Sequence, residues 1–392
     1  TRLSASLKLD GDKLCWTAVD GATGYLLASG EKKASLDASA TEANVMSFYS
    51  TTKSARVSLV ALGDGKTYID SPQSAEVNCT FTGEYKTLQN VLDLRKLNGS
   101  ADSFILLNDI DLAGQAWTPI SGFTGSLNGG GFAIKNMTLS SEESNVGFFS
   151  VLEGTVSDLR FENARVTATG FEENVGILCG EAKKPISNVS VSGTVTAANC
   201  SFVGGIAGKL SVLGDASMEN LENRAAVSGK DNVGGIAGYV GGTWSTGGTM
   251  KLNAWKNSGA VSGSGSYVGG IAGELHCTPS YGYRETVQMY DSENTGAVSG
   301  KTYVGGIFGY AVTNSNTSVI ERASCRAAVT AEAVAGCIAG KADTVTLNSC
   351  TNGGSTLSVT RYLVANGKKY AYAGGVVGWG LMVNNTVNEV AV

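Results

Sequence analysis

One histidine, His276, serves the whole 392-residue chain. An HExxH zinc peptidase needs two histidines on one helix, so that chemistry is excluded. A Ser/His/Asp arrangement would have to use His276, and no GxSxG turn is present to hold a nucleophile. The eight cysteines form no CxxC pair of the kind structural zinc sites use. Cys325, Cys337 and Cys350 come nearest, and their spacing follows a repeat, which reads as buried thiols rather than ligands or bridges. Carboxylates are the next candidates. Asp109 and Asp111 alternate with Ile110 and Leu112, which places both on one side of a strand about 6.6 Å apart, a separation that suits an inverting glycosidase. Glu142/Glu143 and Glu172/Glu173 recur one repeat apart; they read as solvated loop ends, with a shared Ca²⁺ as the weaker alternative.

Aromatic side chains are the remaining chemistry. They collect in the segments of unequal length that separate copies of a repeated phrase: Trp244 and Trp255; Tyr281, Tyr283 and Tyr290; Tyr310; Tyr362, Tyr370 and Tyr372. Exposed rings offer flat apolar faces with polar rims, suited to sugar rings or to a protein partner.

What positions them is a repeat of about 30 residues. NVGFFS at 145–150, NVGILCG at 174–180, FVGGIAG at 202–208, NVGGIAG at 232–238, YVGGIAG at 267–273, YVGGIFG at 303–309, VAGCIAG at 334–340 and YAGGVVG at 372–378 are copies of one phrase. A second phrase, xAVSG or similar, precedes most of them. Short β-branched runs punctuated by glycine at this period describe the coils of a β-solenoid, each paired in parallel with the one before. Ile206, Ile236, Ile271, Ile307, Ile338 and Val376 should form an interior stack, with Ala207, Ala237, Ala272 and Ala339 facing outward or into a tight corner. The glycines fit a corner that needs positive φ or room for a neighbouring coil. Asn223, Asn257 and Asn294 each lie six residues before the glycine of their xAVSG phrase, which predicts an interior amide ladder, with Cys325 in the next slot. The unequal connectors leave from one corner and should gather on one face.

Composition agrees with this and removes other classes. Gly supplies 53 residues and Pro only 4, while apolar residues reach 42 %. Net charge is −5 with no basic cluster, so nucleic acid is not an expected partner. No apolar run approaches the roughly 20 residues of a membrane span. The start at Thr1 suggests a processed product or a trimmed chain whose export signal, if any, is gone.

Residues 1–82 lack the glycine phrase and alternate with period two, as in Ala75, Val77, Cys79 and Phe81 against Glu76, Asn78 and Thr80. A small antiparallel sandwich follows, with Trp16, Tyr25, Val57 and Leu59 in its core; Cys15 and Cys79 have the wrong parity for a bridge. Between the two parts, Thr87 is expected to cap a helix over Leu88–Leu97 that covers the first coil.

LCWTAVDGATGYLL at 14–27 with RVSLVAL at 56–62 resembles a fibronectin type III-like module. From about residue 85 the chain resembles the GLUG-motif repeat proteins of bacterial cell surfaces. FILLNDIDLAGQAWTPISGFTGSLNGGGFAIKNMTLS at 104–140 matches their opening coil, and GxxG at 205–208, 235–238, 270–273 and 306–309 matches their signature; Ser150 departs from it in the first copy. The motif also occurs in bacterial immunoglobulin A1 proteases, whose zinc centre is absent here, so the resemblance implies a surface, adhesin-like role without proteolysis.

The expected fold class is therefore all-β: a sandwich at 1–82, then a right-handed parallel β-helix at 83–392 with a short helical cap. The expected function is non-catalytic and cofactor-free: an exported, cell-surface or extracellular protein, anchored if at all through a lipidated segment outside this chain. It would bind carbohydrate or a host protein through Trp244, Trp255, Tyr281, Tyr283, Tyr290, Tyr310, Tyr362 and Tyr370. The alternatives are a polysaccharide-active glycosidase or lyase, and a structural spacer of a larger immunoglobulin A1 protease-like surface protein.

Overall fold

The computed structural model describes residues 1–381 except 12, 50–53, 82–83, 172–173, 213, 242–247, 278–284, 314–317, 355, 362 and 366–367. The chain forms two compact units: one comprises Thr1–Gln89 with Ser103–Asn108 and Asn128–Phe132, the other the remainder.

In the first unit, apolar residues at alternate positions build two antiparallel sheets. One orders its strands Lys8–Asp10, Lys13–Cys15, Glu42–Asn44; the other orders them Lys32–Asp37, Gly24–Ser29, Ser54–Leu62, Val77–Thr80. Their inward faces share one core containing Trp16, Tyr25, Val57, Leu59, Cys79 and Phe81. The Trp16 and Tyr25 rings meet at 5.4 Å, and the Tyr25 hydroxyl accepts the Val19 N–H.

The expected helix starts later than the sequence suggests. Thr87 and Leu88 belong to the strand Lys86–Leu88, which pairs in parallel with Ser103–Leu106 and so takes up their backbone groups. Asn90 is the cap instead: its Oδ1 accepts the Asp93 N–H, and a single α-turn over Val91–Leu94 runs into a 3₁₀ turn over Arg95–Leu97. Arg95 then lies over the Trp117 ring and donates to the Thr118 carbonyl.

The second unit is a parallel β-solenoid. The eight glycine phrases stack, in two adjoining eight-stranded sheets, from Asn145–Val146 to Tyr372–Gly374 and from Phe149–Leu152 to Val377–Leu381. Val175, Val203, Val233, Val268 and Val304 are aligned coil on coil. The stack of Ile206, Ile236, Ile271, Ile307 and Ile338 is fully buried. Ala207, Ala237, Ala272 and Ala339 are equally buried, so of the two placements open to them only the inward corner occurs. The glycines of this corner answer a close approach and not a positive φ. A Cβ on Gly235 would meet the Gly270 oxygen at 2.2 Å and the Asn257 side chain at 2.4 Å.

The connectors expected as loops are partly strands. Ala216–Glu219, Gly248–Asn253, Glu285–Tyr290, Val319–Glu321 and Thr346–Asn348 form a further five-stranded parallel sheet. Their alternating sequences, such as TMKLN and TVQMY, bury Met250, Leu252, Val287 and Met289 and turn the intervening residues outward. These strands add a wall to the solenoid.

Candidate ligand-binding face

The added wall presents a row of polar side chains. Ser217 pairs in register with Lys251, and Lys251 with Gln288, so three successive coils place Ser, Lys and Gln one above another. A concavity of about 580 Å³ opens on this row, lined by Asp215, Ser217, Thr249, Lys251 and Gln288. Asp215 uses Oδ1 to accept the Thr249 N–H at 2.8 Å, which ties the first two coils together. The side chains of Ser217, Thr249, Lys251 and Gln288 make no hydrogen bond or ion pair to any described residue. Polar groups gathered in a concavity without internal partners are placed to hydrogen-bond a polar ligand. The segments 242–247 and 278–284, which contain Trp244, Tyr281 and Tyr283, join the chain directly before the strands Gly248–Asn253 and Glu285–Tyr290 that carry Thr249, Lys251 and Gln288.

The aromatic residues expected to bind separate into distinct environments. Trp255 offers no face to a ligand: it is fully buried and donates its indole N–H to the Met218 carbonyl at 3.1 Å, because a ring at that point of the wall fills the interior of the coil. Tyr290 points out, two residues beyond Gln288 on the same face, with the Arg322 guanidinium 5.6 Å from its ring and Arg322 paired to Asp291. Tyr310 lies on another wall. Its ring stacks on Tyr267 at 5.3 Å, Tyr267 stacks on Tyr303 at 5.6 Å, and Lys341 sits 4.1 Å from the Tyr310 ring. The Tyr310 hydroxyl donates to Asp343, itself paired to Lys341. Burial first, and then the bond to Asp343, push the Tyr310 hydroxyl up to about 12. The Tyr310 hydroxyl and the Lys341 ammonium are thus both spent on Asp343 Oδ2, while the buried Asp343 Oδ1 has no hydrogen-bond partner among the described residues. Tyr370 has its backbone in the strand Lys368–Tyr370, which pairs with Leu363–Ala365. Trp244, Tyr281, Tyr283, Tyr362 and the Tyr370 side chain lie outside the described residues.

The asparagines are placed on one interior line. Asn223 pairs with Asn257, Asn257 with Asn294, and Asn294 with Cys325. Each Nδ2 donates to the next Oδ1 at 2.7 Å, from Asn223 to Asn257 and from Asn257 to Asn294, and also to the carbonyl two residues on. Asn352 follows Cys325 in the same line. Sequence reading missed it because its coil lacks the xAVSG phrase used as the ruler.

The carboxylates are spent on the fold. Asp109 accepts the Ala133 N–H and pairs with Lys135 at 2.6 Å. Burial works to raise its carboxyl, and Lys135 and the Ala133 N–H outweigh it and hold the group below its ordinary value. Asn136 and the Ala113 N–H hold Asp111 down likewise. A general acid for glycoside cleavage needs the opposite shift. Glu142 and Glu143 are exposed, and Glu172 and Glu173 lie outside the described residues. His276 holds Glu274 through Nδ1 at 2.8 Å, and the other Glu274 oxygen accepts from Asn232. None of the eight cysteines is in a disulfide, and seven are buried.

The face residues Ser217, Thr249, Lys251 and Gln288 were not among the sequence candidates. The signal that could have found them is the period-two pattern inside the connectors, which marks a half-buried strand with a polar outer side.

No family model matches the chain. Halomucin of Haloquadratum walsbyi is 30 % identical over 173 residues, which is 39 % of this chain and 2 % of halomucin. This chain thus spans a small fraction of that relative's length. Among solved structures, a candidate immunoglobulin A1 protease from Bacteroides ovatus is 18 % identical, with a TM-score of 0.47, covering 77 % of this chain and 84 % of that one. Pectate lyase Pel3 from Pectobacterium carotovorum is 10 % identical, with a TM-score of 0.25 over 76 % of this chain and 86 % of that one. Likeness at this level does not bear on activity.

Proposed function

We propose that this chain is a non-catalytic, exported surface protein of adhesin-like type, whose solenoid binds a glycan on the outer face of its five-stranded wall. The observation that carries this reading is the concavity lined by Ser217, Thr249, Lys251 and Gln288, four hydrogen-bonding side chains without described partners. Hydroxyl, amide and ammonium groups suit sugar hydroxyls, and the aromatic connectors 242–247 and 278–284 enter the chain beside them. A glycan is preferred to a host protein as ligand because polar side chains predominate in the lining, where Ala216 is the one apolar residue beside Asp215, Ser217, Thr249, Lys251 and Gln288, whereas the centre of a protein interface is depleted in charge and rich in aromatic anchors.

The strand order of the first unit, 1-2-5 and 4-3-6-7 in chain order, supports the fibronectin type III-like resemblance, and the stacked glycine phrases support the GLUG-type one.

A glycan array probed with the full chain tests the proposal. Binding to at least one glycan class is expected, weakened by Lys251→Ala, and also by Trp244→Ala or Tyr283→Ala, with the melting temperature preserved and no sugar product released. Absence of glycan binding, binding indifferent to Lys251→Ala, or turnover of a bound polysaccharide would overturn it.

A further inference from the structure

The polar row has a direction and two ends. Ser217, Lys251 and Gln288 come from successive coils, so their side chains are spaced by the strand separation of about 4.8 Å along the stacking axis and span about 10 Å. The row begins on Ala216–Glu219, the first strand of the wall. It stops after Gln288, because the next residue in register is Val319. A ligand recognised by one terminal sugar would need its hydrogen-bonding groups to converge on a point. Here they are strung out at equal intervals, each with a different chemistry and each unpartnered among the described residues.

We infer that the face binds an unbranched, extended oligosaccharide lying along the solenoid axis, with three sugar subsites, one per coil. The inference rests on the glycan-binding reading above and adds the shape and length of the ligand. A pyranose in an extended β-1,4 chain advances by close to one strand separation, so such a chain presents a hydroxyl to each rung in turn. Charge sets the class. Asp215, directly before the strand Ala216–Glu219, and Glu219 at its end flank Ser217 at two residues on either side, so the positive Lys251 on the adjoining strand is offset by carboxylates on both sides. The row therefore favours neutral sugars over a uronic-acid polymer, which would bring one carboxylate per residue against Asp215 and Glu219.

The test is calorimetric titration of the full chain with neutral cello-, xylo-, manno- and chito-oligosaccharides of one to six residues, and with uronic-acid oligomers of the same lengths. In at least one neutral series the affinity is expected to rise up to three residues and then level off. Ser217→Ala, Lys251→Ala and Gln288→Ala should each weaken binding of the trimer about threefold to tenfold. Val319→Ala, at the rung beyond the row, should leave it unchanged. A monomer that binds as tightly as its trimer, or tighter binding of the uronic-acid series, overturns the inference. So does failure of every linear series alongside Lys251-dependent binding of a branched or terminal glycan on the array, an outcome that leaves the function proposed above standing. Failure of both the array and the titrations overturns both.

Discussion

At the scale of single residues, polar groups in this chain either close on one another or are left open, and the difference separates structure from site. Tyr310 belongs to the first kind. Its ring is stacked, its hydroxyl is bonded to Asp343, and Lys341 covers its face. Burial and Asp343 hold its hydroxyl up at about 12, against 10.0 for an ordinary tyrosine. The sign follows directly: the folded state keeps the proton that the unfolded chain releases, so the contribution is present below pH 10 and is lost as pH rises through 12. Ultraviolet titration should therefore show a late-ionising tyrosine that Tyr310→Phe removes. Stability to urea should fall across the same window more steeply in the wild type than in the variant; equal slopes would contradict the assignment. Lys251 belongs to the second kind, since no described carboxylate or carbonyl engages it. Neither state can be read from residue type, because a tyrosine and a lysine in strands look alike in sequence whether or not a neighbour one coil away completes them.

At the scale of elements, the glycine corner and the asparagine line are one device. Three successive coils bring a Gly-Gly turn so close to the next coil that no Cβ fits: on Gly205, Gly235 and Gly270 it would fall 2.1–2.3 Å from the carbonyl oxygen of the following coil and 2.3–2.4 Å from an Asn side-chain atom. The asparagine then spans the gap with its amide. Gly235→Ala should force the two coils apart and cost about 1–3 kcal/mol, read by urea denaturation. The same substitution at Gly214, where nothing lies within 4 Å, meets no such clash, though its positive φ still disfavours a side chain. An undiminished midpoint for Gly235→Ala would show that the corner tolerates a methyl group. The glycine phrase, the interior isoleucines and the asparagine spacing were all legible in the sequence, because stacking forces equivalent residues to recur at a fixed offset. The five-stranded wall was not, since it occurs in five coils only, and unequal spacing made its strands look like loops. The helix start was misplaced for a similar reason: Thr87 is an acceptable cap locally, but a pairing with Ser103–Leu106 claims it.

At the scale of the whole molecule, two β units of different design hold together with no disulfide among their cysteines. None of the eight cysteines is in a disulfide; burial pushes the Cys350 thiol up to about 11 and that of Cys179 further still, which removes the reactive thiolate of these two at neutral pH. Melting should accordingly be the same with and without a thiol reductant, and mass spectrometry after alkylation of the unfolded chain should find no bridge; a reductant-dependent drop in melting temperature would contradict this. The amino-acid sequence by itself determined the solenoid, because a backbone paired in parallel with its own neighbours imposes a one-dimensional repeat that any self-comparison detects. It also excluded one chemistry, an HExxH zinc peptidase, because the chain holds a single histidine. The tertiary structure alone decided which polar and aromatic side chains remain open to a ligand. Trp255 turned inward, Tyr310 was consumed by its neighbours, and Ser217, Lys251 and Gln288 emerged as a row, because partners and burial depend on residues 30 or more positions away that only stacking brings alongside.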